Sequence, residues 1–116
     1  MSDCLFCKIV AGEIPATMVR ETDHTLAFRD IAPKAPVHVV VIPKAHHPNL
    51  MALAGADPAL AGRVVAAAAE VAKAEGLATD GYRMIVNSGR NGGQEVFHVH
   101  AHVVGGAPLG PMLATT

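Results

Sequence analysis

Val96-Phe97-His98-Val99-His100-Ala101-His102-Val103-Val104 is the stretch on which the reading of this chain turns. Side chains alternate across an extended strand that rises roughly 3.3 Å per residue. His98, His100 and His102 therefore share one face, while Val99, Ala101 and Val103 turn toward a core. Three imidazoles in a row give up apolar burial along a whole strand face, so something other than packing is at stake. A solvated sheet face, a metal site made by the triad alone and a catalytic site all compete. The outer rings lie about 13 Å apart along the strand, too far for one ion. Imidazole titrates near pH 6.5 and serves as nucleophile, proton donor or oxyanion partner near neutrality, which favours catalysis.

Upstream lies the glycine-rich loop Asn87-Ser88-Gly89-Arg90-Asn91-Gly92-Gly93-Gln94. Glycine removes the Cβ obstruction, so the N–H groups of Gly92, Gly93 and Gln94 could approach a phosphate beside His100. Most such loops are only turns; adjacency to the triad gives this one weight.

Leu5, Phe6, Ile9 and Val10 recur at helical spacing, predicting a short helix that ends near Gly12, with Pro15 forcing an exit. Met18 to Glu21 and Thr25 to Asp30 read as strands about a Thr22-Asp23-His24 turn. Pro33 and Pro36 bound the next loop, and the β-branched run His38 to Ile42 reads as a central strand stopped at Pro43. Asp57 as N-cap, Pro58 at the first turn and Gly76 beyond the end predict a helix over 58–75. Its face Leu60, Val64, Ala67, Val71 and Ala74 should lie on the sheet, with Arg63, Glu70 and Lys73 on another face. The run Ala66 to Ala69 also permits close helix–helix contact. With Tyr82 to Val86 and Val96 to Val104 as the last strands, the pattern is an α+β domain with a mainly antiparallel sheet.

Bulk properties bound the function. At 116 residues and 51% hydrophobic the chain suits one domain with a real core, built from small aliphatic side chains because aromatics are scarce. A formal net charge of -1 offers no field for neutralising nucleic-acid phosphates, so duplex DNA or RNA is not an expected partner. Neither a signal-like N-terminus nor an apolar run of membrane-spanning length is present, and a cytoplasmic protein is expected. In that compartment Cys4-x-x-Cys7 suits thiols, metal ligands or a redox pair better than a structural disulfide. The pair is half of a tetrahedral zinc site, and a bland alternative is two small buried thiols on a helix face.

The run Gly92 to Gly106 resembles the His-φ-His-φ-His-φ-φ signature of the histidine triad (HIT) superfamily, φ being apolar. Phe6 to Pro15, Ala27 to Ile31, Val41-Ile42-Pro43-Lys44 and Gly81-Tyr82-Arg83 resemble the family's opening helix, nucleotide-side strand and later segments, so the likeness covers nearly the whole chain. The ending Gly105 to Leu113 resembles the bacterial Hint-like purine nucleoside phosphoramidases, without the tryptophan-bearing tail common in animal relatives. The resemblance implies a single HIT domain over 1–116 with 105–116 as C-terminal tail. It further implies a five-stranded antiparallel sheet with one long and one short helix, paired as a two-fold homodimer.

The implied activity is cleavage of the P–N or acyl-phosphate bond of purine nucleoside phosphoramidates or aminoacyl-adenylates. His100 would be the nucleophile and His102 its phosphate-side partner, with His98 completing the catalytic triad. An AMP-type substrate would have Phe6, Ile9, Phe28 and Ile31 around its base and Asp30 on its ribose. Asn87, Gly93, Gln94 and the Val96 amide would hold its phosphate side, and Glu95 would make the leaving-group pocket acidic enough to suit a lysyl amine. No cofactor is implied for catalysis. A structural zinc on Cys4, Cys7, His46 and His98 is, with His47 a competitor for His46. Two other functions stay open: a dinucleoside polyphosphate hydrolase using the same His100, and a nucleotide-binding regulatory module with incidental hydrolysis.

Overall fold

The computed structural model describes residues 3–113. Its element order is α1 (Leu5–Val10), β1 (Met18–Glu21), β2 (Thr25–Arg29), β3 (Val37–Pro43), α2 (Leu50–Ala56), α3 (Pro58–Ala74), β4 (Tyr82–Ile85) and β5 (Ala101–Gly105). Among the described residues the strands form one five-stranded sheet in the order β1-β2-β3-β5-β4, with every neighbouring pair antiparallel. The α+β expectation holds.

β3 explains the arrangement. Its residues alternate between two apolar layers, so both faces of the strand are covered. Val39 and Val41 pack with Val103, Ala101 and Val99 under α3, in a cluster centred on Leu53, Val64 and Val71. Val40 and Ile42 face the other way, onto Phe6, Ile9, Leu26 and Phe28. Each fully buried valine or leucine contributes about 1.5–3 kcal/mol, and these small side chains let α3 lie close to the sheet.

The ends of α3 follow from the sequence. The Asp57 side chain accepts from Leu60 N at 3.0 Å, Pro58 occupies the first turn, and Gly76 turns the chain away at φ 76°. The core face is Leu60, Val64, Ala67, Ala68, Val71 and Ala72; Ala74, expected on it, is exposed.

Two expectations about elements need correction. A third helix, α2, stands between β3 and α3, capped by Asn49 whose side chain accepts from Ala52 N at 2.9 Å. Its seven residues Leu50–Ala56 include Gly55 and no clean apolar stripe, and it is held by burying Leu53. The predicted strand Val96 to Val104 shortens to Ala101–Gly105. Its neighbours run out: Ala101 is the last residue opposite β3, at Val41, and His102 the last opposite β4, at Ile85. The segment carrying His98 and His100 therefore approaches the sheet outside any strand, bending over residues 96–98 and tethered where Val99 N donates to His47 O at 2.8 Å.

Candidate active site

Alternation survives that correction and sorts the triad as the sequence implies. Val99, Ala101 and Val103 lie under α3. The three imidazoles lie on the opposite side, where the Phe6 ring meets those of His98 and His100 at centroid distances of 6.0 and 5.1 Å, and His100 meets His102 at 5.0 Å. There α1, the end of β2 and β5 enclose a cleft of ≈ 750 Å³. His100 and His102 line it, with Phe6, Ile9, Phe28, Asp30, Asn87, Gly93, Glu95 and Val96. Ile31 also borders the cleft, yet its side chain is fully exposed, so it stands at the mouth rather than in a wall. Leu5, Ile14, Arg83 and Leu109 are among the other lining residues, and the sequence did not mark them as site residues. The Arg83 guanidinium ties the C-terminal segment to this rim by donating to Gly110 O at 2.8 Å.

Hydrogen bonds fix the ring tautomers, because a carbonyl only accepts and an N–H only donates. His100 Nδ1 donates to His98 O at 2.8 Å, which leaves the Nε2 lone pair for the cleft. The Lys34 amide donates to His38 Nδ1 at 3.0 Å, so His38 carries its proton on Nε2. That proton is directed at His102 Nδ1, 2.8 Å away, so His102 in turn carries its own proton on Nε2. Asp30 Oδ2 lies 3.4 Å from the same His38 nitrogen.

His38, which also lines the cleft, is the missed residue with the most direct link to the triad. Within the run His38 to Ile42 it reads as one more strand residue, and nothing in the sequence reveals that Val40, two positions on, pairs with His102.

Asp30, His38 and His102 are close enough to suggest a metal site. The tautomers argue for a hydrogen-bond relay instead, since His38 Nε2 bears a proton and its other nitrogen is occupied.

Burial sets the charge of this group. His102 is pushed down to about 4, first by desolvation and then by His100 and His38, with Asp30 opposing. His38 is lowered by desolvation, with Asp30 raising it and Lys34 lowering it further. Both rings are neutral at pH 7. An unfolded chain takes up these protons near pH 6.5 while the native cleft resists, so stability is full above 6.5 and is lost as pH falls toward 4. For His102 the full shift amounts to about 3 kcal/mol, which partial solvent contact reduces to about 2 kcal/mol. Chemical denaturation of metal-free protein should show that decline; a flat midpoint from pH 7 to 4 would contradict it.

Of the two roles expected of His98, the structure places it with the candidate metal donors rather than in the cleft. It is fully buried, lies outside the cleft lining, and uses Nε2 to donate to Pro43 O at 2.7 Å. Its Nδ1, free of a proton, faces Cys4 Sγ at 3.4 Å, Cys7 Sγ at 3.5 Å and His46 Nδ1 at 3.2 Å. Its contribution to the cleft is the carbonyl that orients His100.

These contacts test the zinc set. A tetrahedral zinc with ordinary Zn–S and Zn–N bonds has donor-to-donor edges of about 3.5 Å for S···N and about 3.3 Å for N···N. The observed S···N separations of 3.4, 3.5 and 3.4 Å and the N···N separation of 3.2 Å match. The bond from His98 Nε2 to Pro43 O sets the tautomer that a metal on Nδ1 requires. Neither cysteine forms a disulfide, and neither is buried, against the alternative of two inert buried thiols. His46, not His47, joins this cluster.

The glycine loop also works differently from expectation. Gly93 N closes onto Arg90 O at 3.1 Å and Gln94 N onto Gly89 O at 3.0 Å, so these amides hold the turn rather than aim at a phosphate. The Gln94 side chain is buried and braces the loop, donating to Pro48 O and Val96 O and accepting from Gly89 N. Its side chain is thus turned into the loop and away from the cleft lining. Gly92 is required by space, since a Cβ there would lie 2.4 Å from Ser88 O. Gly92→Ala should cost about 2 kcal/mol, measured as a lower denaturation midpoint; an unchanged midpoint would show that the turn can open freely.

A small α+β domain whose sheet delivers imidazoles to one enclosed cleft defines a histidine-centred ligand-binding class. Comparisons with known proteins place it more narrowly. The family model described as HIT domain matches residues 11–109. The chain is 46% identical over 112 residues to the purine nucleoside phosphoramidase of Escherichia coli (strain K12), covering 97% of this chain and 94% of that protein. It is 47% identical over 105 residues to protein HitA of Neisseria gonorrhoeae, covering 90% and 97%. Among solved structures, a histidine triad protein from Clostridium difficile matches with a TM-score of 0.92 at 40% identity, covering 97% of this chain and 98% of that one. A HIT family hydrolase from Legionella pneumophila matches with a TM-score of 0.89 at 46% identity, covering 93% and 96%. The chain belongs to the HIT family.

Proposed function

We propose that this protein is a purine nucleoside phosphoramidase, an enzyme that hydrolyses the P–N or acyl-phosphate bond of nucleoside phosphoramidates or aminoacyl-adenylates. The observation that carries the reading is His100, whose Nδ1–H is held by His98 O so that a lone pair on Nε2 is presented to a nucleotide-sized cleft. The near full-length likeness to the E. coli phosphoramidase supports the substrate class.

The chemistry follows from the residues. The His100 Nε2 lone pair attacks the α-phosphorus, and the P–N bonding pair departs with the amine. That amine needs a proton, because an amide anion is too basic to leave. His102 supplies it from Nε2, the hydrogen-bonded His38–His102 pair carrying one extra proton while the substrate is bound and returning to the neutral state as that proton leaves. Water then attacks the nucleotidyl-histidine and gives its proton to His102, and the P–N pair returns to His100. Phe6, Ile9 and Phe28 wall the base, with Ile31 at the mouth. Asp30 takes the ribose hydroxyls, Asn87 and the Val96 amide the phosphate, and Glu95 a cationic leaving group.

The proposal extends to the finer features. Cys4, Cys7, His46 and His98 hold a zinc ion whose closed four-donor site ties α1 to the sheet. A homodimer forms through α3 and the edge strand β4, a reading supported by exposed Val65 and Tyr82. One HIT domain spans 1–116, with 105–116 as its tail. No helix among the described residues is long and apolar enough to cross a membrane, and a cytoplasmic location completes the reading.

The deciding experiment is a substrate panel of adenosine phosphoramidate, an adenylylated lysine analogue and diadenosine polyphosphates. Turnover of the first two ahead of the third is expected. Preference for the third would make the protein a dinucleoside polyphosphate hydrolase, and nucleotide binding without turnover of any would make it a binding module.

A further inference from the structure

We infer that Asp30 is a positioning residue for the proton transferred to the leaving amine, in addition to facing the ribose; this rests on the phosphoramidase reading. Asp30 is clamped at both ends. Its N–H donates to His38 O at 3.0 Å, and its Oδ1 accepts from Ala32 N at 2.8 Å. Oδ2 is thereby aimed at His38 Nε2, 3.4 Å away, the nitrogen that also faces His102 Nδ1. A ribose contact alone gives no reason for a carboxylate to be held against a buried imidazole.

The rings need a counter-charge. For His102 to donate a proton and regain it from water, the His38–His102 pair must carry an extra proton at the moment of P–N cleavage. The groups facing the pair are Lys34 and His100, which disfavour that charge, and Asp30, which favours it. The incoming nucleotide phosphate adds to Asp30. The extra proton leaves from His102 Nε2 to the amine nitrogen as the P–N bond breaks, and the attacking water replaces it in the second step. Nothing else is consumed.

Asp30→Asn keeps the shape and removes the charge. Two 2′,3′-dideoxyadenosine substrates separate the roles: a phosphoramidate with an alkylamine leaving group, and a nitrophenyl ester whose leaving group needs no proton. On the amine substrate, kcat should fall about tenfold or more and the alkaline limb of its pH profile should move to lower pH. On the ester the loss should be far smaller. Equal activity of variant and wild type on the amine substrate would confine Asp30 to the ribose and overturn the inference, as would equal losses on both substrates.

NMR titration of the His38 and His102 ring carbons provides a readout independent of turnover. The pair should protonate at lower pH in Asp30→Asn, and an unchanged titration overturns the link. If wild type cleaves neither substrate, the phosphoramidase reading fails while the titration still decides whether Asp30 governs the pair.

Discussion

His100→Ala is expected to lower kcat on adenosine phosphoramidate by about four orders of magnitude or more, equivalent to about 5.5 kcal/mol of transition-state stabilisation. The size follows from its role: without a nucleophile the cleft can only orient water, and the displacement reverts to one difficult step. His100 is 5% exposed and packs edge-on against Phe6, so truncation also leaves a small void. Thermal unfolding separates that cost from the chemical one, and added imidazole should restore part of the activity by occupying the void. Rapid quench without acid, followed by peptide mass analysis, should locate a labelled nucleotide on His100 of wild type. A label on His98 or His102 would overturn the assignment, and His98 is an improbable site because both of its nitrogens are engaged away from the cleft.

Removing one sulfur should produce the largest effect on stability. Protein purified without chelators is expected to hold about one zinc per chain, and Cys4→Ser or Cys7→Ser to lose it together with about 3 kcal/mol or more, a fall in Tm of about 10–20 °C. A ligand that binds only the folded state stabilises by mass action, so a chelator should lower the Tm of wild type and leave the variant unchanged. Cys4 has a second function as N-cap of α1, where its sulfur accepts from Cys7 N at 3.3 Å, and serine preserves that cap. The variant therefore tests the metal rather than the helix. Native metal-free protein of unchanged stability would end the zinc reading.

What the sequence made legible depended on how local its cause was. The ends of α3 are written in Asp57, Pro58 and Gly76, and the two-sided character of β3 in its β-branched run, because caps and alternation act over a few residues. The sorting of Val99, Ala101 and Val103 from the three histidines was legible for the same reason. The donor set of Cys4, Cys7, His46 and His98 was legible only through family likeness, since three separate segments meet there. Where tertiary pairing decides, the sequence was silent: His38 reaches His102 only because β3 lies beside β5. Gln94 looked like a phosphate ligand because a polar side chain in a glycine loop does not reveal whether it points outward or braces its own turn. The strand through His98 was overestimated because an alternating sequence does not show where the neighbouring strands end, and here the chain bends over residues 96–98 before it joins the sheet.

Helix α1 has six residues, too few to persist on its own, and it is held through Phe6, Ile9 and the cysteines at its start. Cys4 meets His98 across 94 positions of chain, one of the longest loops this fold can close. Contacts of such separation form late in folding, after the β3–β5 ladder exists to receive them, and they are the cheapest to release from the finished molecule. The wall that α1 gives the cleft is thus the segment that can lift from the sheet while the rest of the fold stays intact, and a zinc ion held by Cys4, Cys7, His46 and His98 would set how often that happens.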